Sequence, residues 1–160
     1  MNVRALIFDV FGTLVDWRSG VARELRSQLR VSAEEADALA DAWRDEYQPA
    51  MEEVRASRIP FCKLDVLHRR NLDVVLDRFG HDANEATRRD LTLAWHHLDA
   101  WPDVTPALAR LRERFLLAPC SNGNISLMAA LARRNGWHWD AILGAEHARD
   151  YKPKPEVYLA

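Results

Sequence analysis

The chain has 160 residues, of which 48% are hydrophobic and 29% charged, and its formal net charge is −2. This length suits one domain with a small insertion, and the balanced charge offers no basic surface for nucleic acid or an anionic membrane. The two cysteines are too few for a disulfide framework, and the amino-terminal apolar run is too short for a signal peptide. We therefore expect a cytoplasmic protein without a membrane span.

The first predicted element is a strand at residues 5–8, an apolar run that ends at Asp9. A run of this length is typical of a strand buried on both faces of a parallel sheet. Gly12 and Thr13 then signal a turn. An acid at the carboxyl end of such a strand lies where open α/β sheets bind their ligands. Asp9 is therefore a candidate nucleophile, and capping of the next turn is the alternative role.

Helical periodicity replaces the strand pattern after residue 15 and continues for about eighty residues. We predict four helices in this stretch. The second opens with a capping box at Ser32 and carries its apolar stripe as far as Val54. The third closes at Gly80, and the fourth spans about 84–98. Four consecutive helices without a strand indicate a separate helical subdomain.

The α/β pattern resumes near residue 100. It comprises, in order, a helix that opens at Thr105-Pro106, a buried strand at 115–118, a helix at about 125–134 and a very short strand at 141–143. We therefore predict an α/β protein with a Rossmann-like parallel-sheet core. That core consists of residues 1–15 and 100–160, and a helical subdomain at 16–99 interrupts it.

Polar residues follow each of the three predicted strands: Asp9, then Ser121 and Asn122, then Lys152. Parallel strands joined by helical crossovers place their carboxyl ends on one edge of the sheet, so these residues should meet. Such a group suits nucleophilic catalysis. Asp9 would attack, Lys152 would keep it ionised, and Ser121 with nearby backbone N–H groups would hold an anionic substrate. Lys154 competes with Lys152 for its role.

Three segments in this order resemble the motifs of the haloacid dehalogenase superfamily. Residues 9–14 resemble its first motif, residues 121–123 its second and Lys152-Pro153 its third. The helical insertion resembles the cap of the type II, or L-2-haloacid, dehalogenases. Within it, Arg44 resembles the arginine with which that family holds substrate and leaving halide; a solvated surface arginine is the alternative. Three ordered motifs at these spacings carry more weight than any one alone.

This resemblance implies a hydrolase that converts small 2-haloacids to 2-hydroxy acids through an aspartyl-ester intermediate. The catalytic residues that it implies are Asp9, Lys152, Ser121 and Thr13. The substrate-binding residues that it implies are Arg44, Asn122, Phe11, Val10 and Tyr158. The expected partner is the small haloacid, neither nucleic acid nor a membrane is expected, and a homodimer is left open.

Phe11 stands two residues after the candidate nucleophile Asp9. The resemblance implies that the residue at this position distinguishes dehalogenases from phosphatases of the superfamily. The phosphatases have a second aspartate there, which binds Mg²⁺ and protonates the leaving group. Halide leaves without a proton, and an apolar ring suits the wall of a small pocket. We therefore expect no metal and no cofactor. The alternatives are a Mg²⁺-dependent phosphoric-ester hydrolase of the same superfamily and a catalytically silent chain.

Members of this family continue for several dozen residues beyond the position of Ala160, with two more strands and a fourth motif. We therefore expect the chain to be a fragment or a truncated product, with its first strand left at the edge of the sheet. For the 160 residues alone, we expect a helical far-UV signal, a loosened α/β part and no measurable halide release.

Overall fold

A computed structural model describes residues 3–159. These residues form two compact units, an α/β unit (residues 3–17 and 96–159) and a helical unit (Arg18–Trp95). The sequence predicts the helical subdomain at 16–99. No helix in the described part of the chain combines the length and the apolar character that a membrane span requires.

The elements follow the predicted order: one strand, then a run of helices, then helices and strands in alternation. The strands are β1 (Ala5–Phe8), β2 (Leu116–Ser121) and β3 (Leu143–Gly144). The helices of the first half are α1 (Trp17–Leu29), α2 (Ala33–Asp45), α3 (Tyr47–Arg55), α4 (Leu64–Phe79) and α5 (Glu85–Thr92), followed by a 3₁₀ helix (Leu93–His97). The helices of the second half are α6 (Val104–Arg112), α7 (Ile125–Asn135), α8 (Ala145–Ala148) and α9 (Glu156–Leu159).

The described residues of the α/β unit contain a parallel sheet in the order β1–β2–β3, which confirms the predicted fold class. Ala5 pairs with Leu116, and Ser121 pairs with Gly144. All three strands therefore point their carboxyl ends to the same edge of the sheet. That edge carries the residues that follow each strand, and the candidate site is built there.

β1 is more exposed than the sequence predicts. Residues along it alternate between exposed and intermediate, and Ile7 is 52% exposed. Among residues 3–159, β2 is the central strand, and β1 pairs with no other strand. The prediction that β1 is buried on both faces is therefore wrong, because an edge strand has a neighbour on one side only. The expectation that β1 forms an edge agrees with this strand order.

Aromatic side chains occupy the centre of the helical unit. Trp43 and Trp95 meet edge to face, with 5.5 Å between ring centroids, and His68 stacks on Trp95 at 4.2 Å. Trp43 Nε1 donates a hydrogen bond of 3.0 Å to the carbonyl oxygen of His68. Fully burying a large apolar side chain contributes about 1.5–3 kcal/mol. The buried leucines and methionine around these rings, Leu39, Met51, Leu64, Leu67, Leu72 and Leu76, complete the core.

The predicted second helix is in fact two helices, α2 and α3, with a break at Glu46. Pro49, the third residue of α3, explains the break. It has no N–H to donate, and its ring excludes the carbonyl four residues earlier in a continuous helix. The apolar stripe nevertheless crosses the break, since Trp43 and Tyr47 are both buried. The predicted start is correct, because the Ser32 hydroxyl accepts a bond from the Glu35 N–H at 3.1 Å.

The predicted fourth helix also ends early. α5 stops at Thr92, and the chain tightens into the 3₁₀ helix. The Thr92 hydroxyl donates to the carbonyl oxygen of Arg88 at 2.8 Å, a local bond that competes with the backbone ladder at this point.

Candidate active site

The centre of the candidate site is a hydrogen-bonded ion pair between Asp9 and Lys152. Lys152 Nζ donates to Asp9 Oδ1 at 2.6 Å, although the two residues lie 143 positions apart. Asp9 follows β1, and Lys152 lies in the segment after α8. The side chain of Asp9 is 48% exposed and that of Lys152 is 18% exposed. The nucleophile candidate is therefore accessible while its cation is largely covered, and Lys152, not Lys154, makes this contact.

The turn after β1 supplies a second donor to the same carboxylate. Thr13 Oγ1 donates to Asp9 Oδ2 at 2.8 Å, so each carboxylate oxygen accepts a bond from a side chain. The turn itself closes on Val10, whose carbonyl accepts from the Leu14 N–H at 2.8 Å. Gly12 adopts a φ of +86°, in the left-handed region that favours glycine. The positive φ of Gly12 thus turns the chain back so that Thr13 reaches Asp9.

Opposing effects set the charge of Asp9. Burial alone would raise the pKa of this carboxyl group. The hydrogen bonds from Lys152 and Thr13, the positive charge of Lys152 and the backbone N–H of Val10 outweigh it, and the pKa lies below its ordinary value. Asp9 is therefore ionised at neutral pH, as a carboxylate nucleophile requires.

The loop after β2 brings the second group of predicted residues to the same edge. Ser121 is fully buried, and its Oγ accepts a bond from the Gly123 N–H at 3.1 Å. Asn122 is also buried, and its Oδ1 accepts from the backbone N–H of Lys152 at 2.8 Å. The loop that carries Ser121 is therefore tied directly to the residue that pairs with Asp9.

Phe11 and Val10 follow Asp9 directly, and both side chains are buried. The Phe11 ring lies near Gly123 of the loop, since a Cβ built at Gly123 would stand 3.5 Å from it, an ordinary contact distance. The same Cβ would displace the end of the Met128 side chain.

Two further predicted site residues are Arg44 and Tyr158. Arg44 belongs to α2 of the helical unit, where its guanidinium carbon lies 4.0 Å from the centroid of the Tyr47 ring. Tyr158 lies on α9, and about half of its surface is exposed. The α/β unit therefore assembles Asp9, Thr13 and Lys152 on its own, and roles for Arg44 and Tyr158 stay predictions.

Sequence reasoning missed two residues that support the site. Trp101 Nε1 donates to the carbonyl oxygen of Gly12 at 3.2 Å and so holds the turn after β1. Glu146 Oε2 accepts from the backbone N–H of Ile125 at 2.7 Å and so holds the start of α7. No local pattern could have indicated either contact, because the partners lie 89 and 21 positions apart.

Residues 3–159 contain no group of three or more His, Cys, Asp or Glu side chains arranged to hold a metal ion. Independence from metal nevertheless stays a prediction, and it rests on the identity of Phe11. Cys120, next to Ser121, is buried, and its Sγ lies 3.5 Å from the carbonyl oxygen of Val157. Burial raises the pKa of this thiol; the charge of Lys152 opposes that rise and the charge of Asp9 adds to it.

The paired carboxylate and ammonium lie at the carboxyl edge of a parallel sheet, where open α/β proteins bind their ligands. The chain belongs to the haloacid dehalogenase-like hydrolase family, whose model matches residues 3–160. It is 28% identical to (S)-2-haloacid dehalogenase 4A of Burkholderia cepacia, over 98% of this chain and 67% of that protein. It is 29% identical to (S)-2-haloacid dehalogenase 1 of Pseudomonas sp. (strain CBS-3), over 98% of this chain and 68% of that protein.

Solved structures give the same result for the fold. The defluorinating L-2-haloacid dehalogenase Rha0230 superposes with a TM-score of 0.93 at 41% identity, over 99% of this chain and 66% of that one. The L-2-haloacid dehalogenase PA0810 superposes with a TM-score of 0.92 at 42% identity, over 99% of this chain and 69% of that one. The chain thus spans about two thirds of the length of these relatives.

Proposed function

We propose that this protein hydrolyses the carbon–halogen bond of small 2-haloacids to give 2-hydroxy acids. The observation that carries the proposal is the 2.6 Å contact between Lys152 Nζ and an Asp9 carboxylate that is ionised yet 48% exposed. A carboxylate in this state can attack carbon, whereas a fully buried one cannot meet a substrate. The relatives named above, which are 2-haloacid dehalogenases, support the same substrate class.

The proposed reaction has two steps. In the first, one oxygen of Asp9 attacks the carbon that bears the halogen; a carbon–oxygen bond forms, the carbon–halogen bond breaks, and its electron pair leaves with the halide. In the second, water attacks the side-chain carbonyl carbon of the resulting ester. The 2-hydroxy acid leaves with the original Asp9 oxygen, and a proton passes to solvent. Asp9 returns to its carboxylate form with one oxygen from water.

The neighbouring residues fit these steps. Lys152 and Thr13 each hold one oxygen of Asp9, and so fix the direction in which the carboxylate presents its free lone pairs. Ser121, Asn122 and backbone N–H groups of their loop are proposed to hold the carboxylate of the substrate. Phe11 provides no proton, and a halide, as a weak base, needs none.

The finer parts of the proposal concern the helical unit and the pocket. We propose that the helical unit acts as the cap and that Arg44 binds substrate and leaving halide, because a guanidinium group matches a carboxylate and an anion in a fixed fork. Val10 and Tyr158 are proposed to line the substrate pocket. We further propose a cytoplasmic location, in keeping with the two free cysteines, Cys62 and Cys120.

Isotope labelling tests the covalent route. In a single turnover with excess enzyme in ¹⁸O-water, the label should appear in the carboxylate of Asp9, and the 2-hydroxy acid should carry ordinary oxygen. Mass spectrometry of the peptide that contains Asp9 measures this, with Asp9→Asn as the unlabelled control. The assay is run on the 160-residue chain and on the same chain extended by the segment by which Rha0230 is longer. Label found directly in the product would mean that water attacks the carbon.

Chelation separates this proposal from the phosphatase alternative. Halide release should survive exhaustive treatment with EDTA, because Phe11 stands where a phosphatase has its second acid. Activity that disappears on chelation and returns with Mg²⁺ would instead support a phosphoric-ester hydrolase.

A further inference from the structure

Two segments that are distant in sequence meet beside the candidate site. We call residues 121–125 the Ser121 loop and residues 144–152 the Lys152 segment. Their first contact is the pairing of Ser121 in β2 with Gly144 in β3. Gly144 has a φ of +127°, and a Cβ there would overlap the backbone of Ser121. Only glycine therefore allows the Lys152 segment to start this close to the loop.

Glu146 makes the second contact. Its carboxylate accepts from the N–H of Ile125, the first residue of α7, at 2.7 Å. Asn124 occupies the usual capping position, yet its side chain makes no capping bond and donates to Ser126 Oγ at 2.8 Å instead. Glu146 thus supplies from another segment the cap that the local sequence leaves out. A negative charge at a helix amino terminus is itself favourable.

Asn122 makes the third contact. Its Oδ1 accepts from the backbone N–H of Lys152 at 2.8 Å, and the side chain is buried. If this acceptor were lost, the backbone N–H of Lys152 would need a new partner, because a partly buried donor is costly to leave unpaired. The position of the lysine therefore depends on a side chain of the Ser121 loop.

We propose that Glu146 and Asn122 are positioning residues that lock the Lys152 segment to the Ser121 loop and thereby hold Lys152 Nζ against Asp9. Neither residue needs to touch a reacting atom in this role. The effect of this positioning on catalysis rests on the proposed dehalogenase function, whereas its effect on the pKa of Asp9 does not.

The pKa of Asp9 shows directly whether Lys152 is held in position. In the described part of the α/β unit, the groups that lower the pKa of this carboxyl are the Lys152 ammonium, the Thr13 hydroxyl and the backbone N–H of Val10, and Asp9 in turn raises the pKa of the nearby Cys120 thiol. Burial opposes ionisation, and Lys152 offsets it through both a hydrogen bond and its charge. If Lys152 moves away, burial has less opposition and the pKa of Asp9 rises.

Carbon-13 NMR of protein labelled at its aspartate side chains measures this pKa without any turnover. Asn122→Ala and Glu146→Ala should each raise the pKa of Asp9 by about 0.5 or more. Glu146→Gln removes the same charge as Glu146→Ala but keeps an acceptor oxygen, so it should stay close to the parent. Glu113→Gln, an exposed glutamate of the same unit, is the matched control and should change nothing.

An unchanged pKa of Asp9 in both alanine variants would overturn the proposal, as would a Glu146→Gln variant that behaves like Glu146→Ala. If Glu146→Ala does not fold, Glu146→Asp, which keeps the charge and shortens the reach, takes its place with the same expectation. In kinetic assays, the acidic limb of the kcat/KM profile should move to higher pH together with the pKa of Asp9. Absence of halide release in both the 160-residue chain and the extended chain would refute the proposed function, and the NMR result would still decide whether Glu146 and Asn122 position Lys152.

Discussion

The helical unit and the α/β unit depend on contacts of different kinds. The helical unit is built around a core of apolar and aromatic side chains that includes Trp43 and Trp95, and some of its ion pairs, such as that of Arg18 with Asp37, are exposed. The α/β unit joins residues as distant as Asp9 and Lys152 through polar contacts at one sheet edge. It also holds most of the large apolar side chains that are exposed, Ile7 among them. Both units bury apolar side chains, but the α/β unit also places a polar cluster at one edge of its sheet.

Buried polar side chains show the same division. In the helical unit, Asn71 Nδ2 on α4 donates to the carbonyl oxygen of Glu46 between α2 and α3, which also accepts from the Ala50 N–H. This bond joins helices to one another. In the α/β unit, buried Ser121 and Asn122 bond to the loop and to the Lys152 segment. The first bond connects helices, whereas the second group of bonds lies beside the pair of Asp9 and Lys152. We therefore expect mutations in the two units to separate stability from activity.

The largest effect should come from Asp9→Asn. The amide cannot attack carbon, so halide release should fall by about 10⁴-fold or more. Because Asp9 is half exposed, the free energy of unfolding should change by less than about 1 kcal/mol. Steady-state kinetics and urea denaturation measure the two quantities. Asp103→Asn, an exposed aspartate of the same unit whose side chain makes no capping bond, is the control and should keep full activity. Substantial turnover by Asp9→Asn would remove Asp9 from the chemistry.

The reverse pattern is expected for Leu72→Ala in the helical unit. Leu72 is fully buried on α4, and its truncation should lower the free energy of unfolding by about 3 kcal/mol through lost burial and the cavity left behind. Val74→Ala, on the same helix but 44% exposed, should change it by less than about 0.5 kcal/mol. The pKa of Asp9 should be the same in both variants. A shift of that pKa in Leu72→Ala would show that packing of the helical unit reaches the site.

Much of the difference between the helical unit and the α/β unit could be predicted from the sequence. Apolar periodicity indicated the helical unit, and three polar clusters after three short strands indicated that Asp9, Ser121 and Lys152 would meet. Both predictions rest on regular geometry, the period of a helix and the common edge of a parallel sheet; the domain bounds and the roles of the site residues stay predictions. The family resemblance added an expected role for each residue, and the structure adds the contact between Lys152 and Asp9.

Other features could not be predicted, or were predicted wrongly, for identifiable reasons. The apolar stripe from Ala36 to Val54 continues through the break between α2 and α3. Periodicity therefore suggested a single helix, although Pro49 is a signal for a break. An apolar run indicates a strand but not its place in the sheet, so the exposure of Ile7 was missed. The bond from Ile125 to Glu146 depends on tertiary structure, and no pattern in either segment encodes it.

Arg44→Lys sharpens the comparison, because Arg44 is the residue of the helical unit to which we assign a chemical role. Lysine keeps the charge but loses the planar fork, so kcat/KM should fall about 100-fold, or about 2.7 kcal/mol of transition-state stabilisation. Loss of the contact with the Tyr47 ring should cost less than about 1 kcal/mol of stability. Arg58→Lys, on an arginine paired with Glu53, is the matched control. Parent-like kinetics for Arg44→Lys would return this arginine to a purely structural role.

The smallest expected effect compares two ion pairs, Asp9 with Lys152 and Asp41 with Arg18, through the pH dependence of stability. In the α/β unit, burial opposes ionisation of Asp9, but bonds from Lys152 and Thr13 hold its pKa below the ordinary value. In the helical unit, the hydrogen bond from Arg18 lowers the pKa of Asp41 against a smaller effect of burial.

A carboxyl group whose pKa is lower in the folded state stabilises the protein fully above its unfolded pKa, about 3.9, and this stabilisation is lost as the pH falls through the folded pKa. The parent protein should lose unfolding free energy as the pH falls from about 6 to about 3. In Lys152→Met this loss should be smaller, by less than about 1 kcal/mol because Asp9 is half exposed. The substitution should also raise the pKa of Asp9, since burial then acts with less opposition. Arg18→Met removes an exposed pair that solvent already screens, so it should leave the pH profile of stability nearly unchanged. Urea denaturation at a series of pH values measures both variants. An equal effect of the two substitutions would mean that partial burial gives the Asp9 pair no advantage over a surface pair.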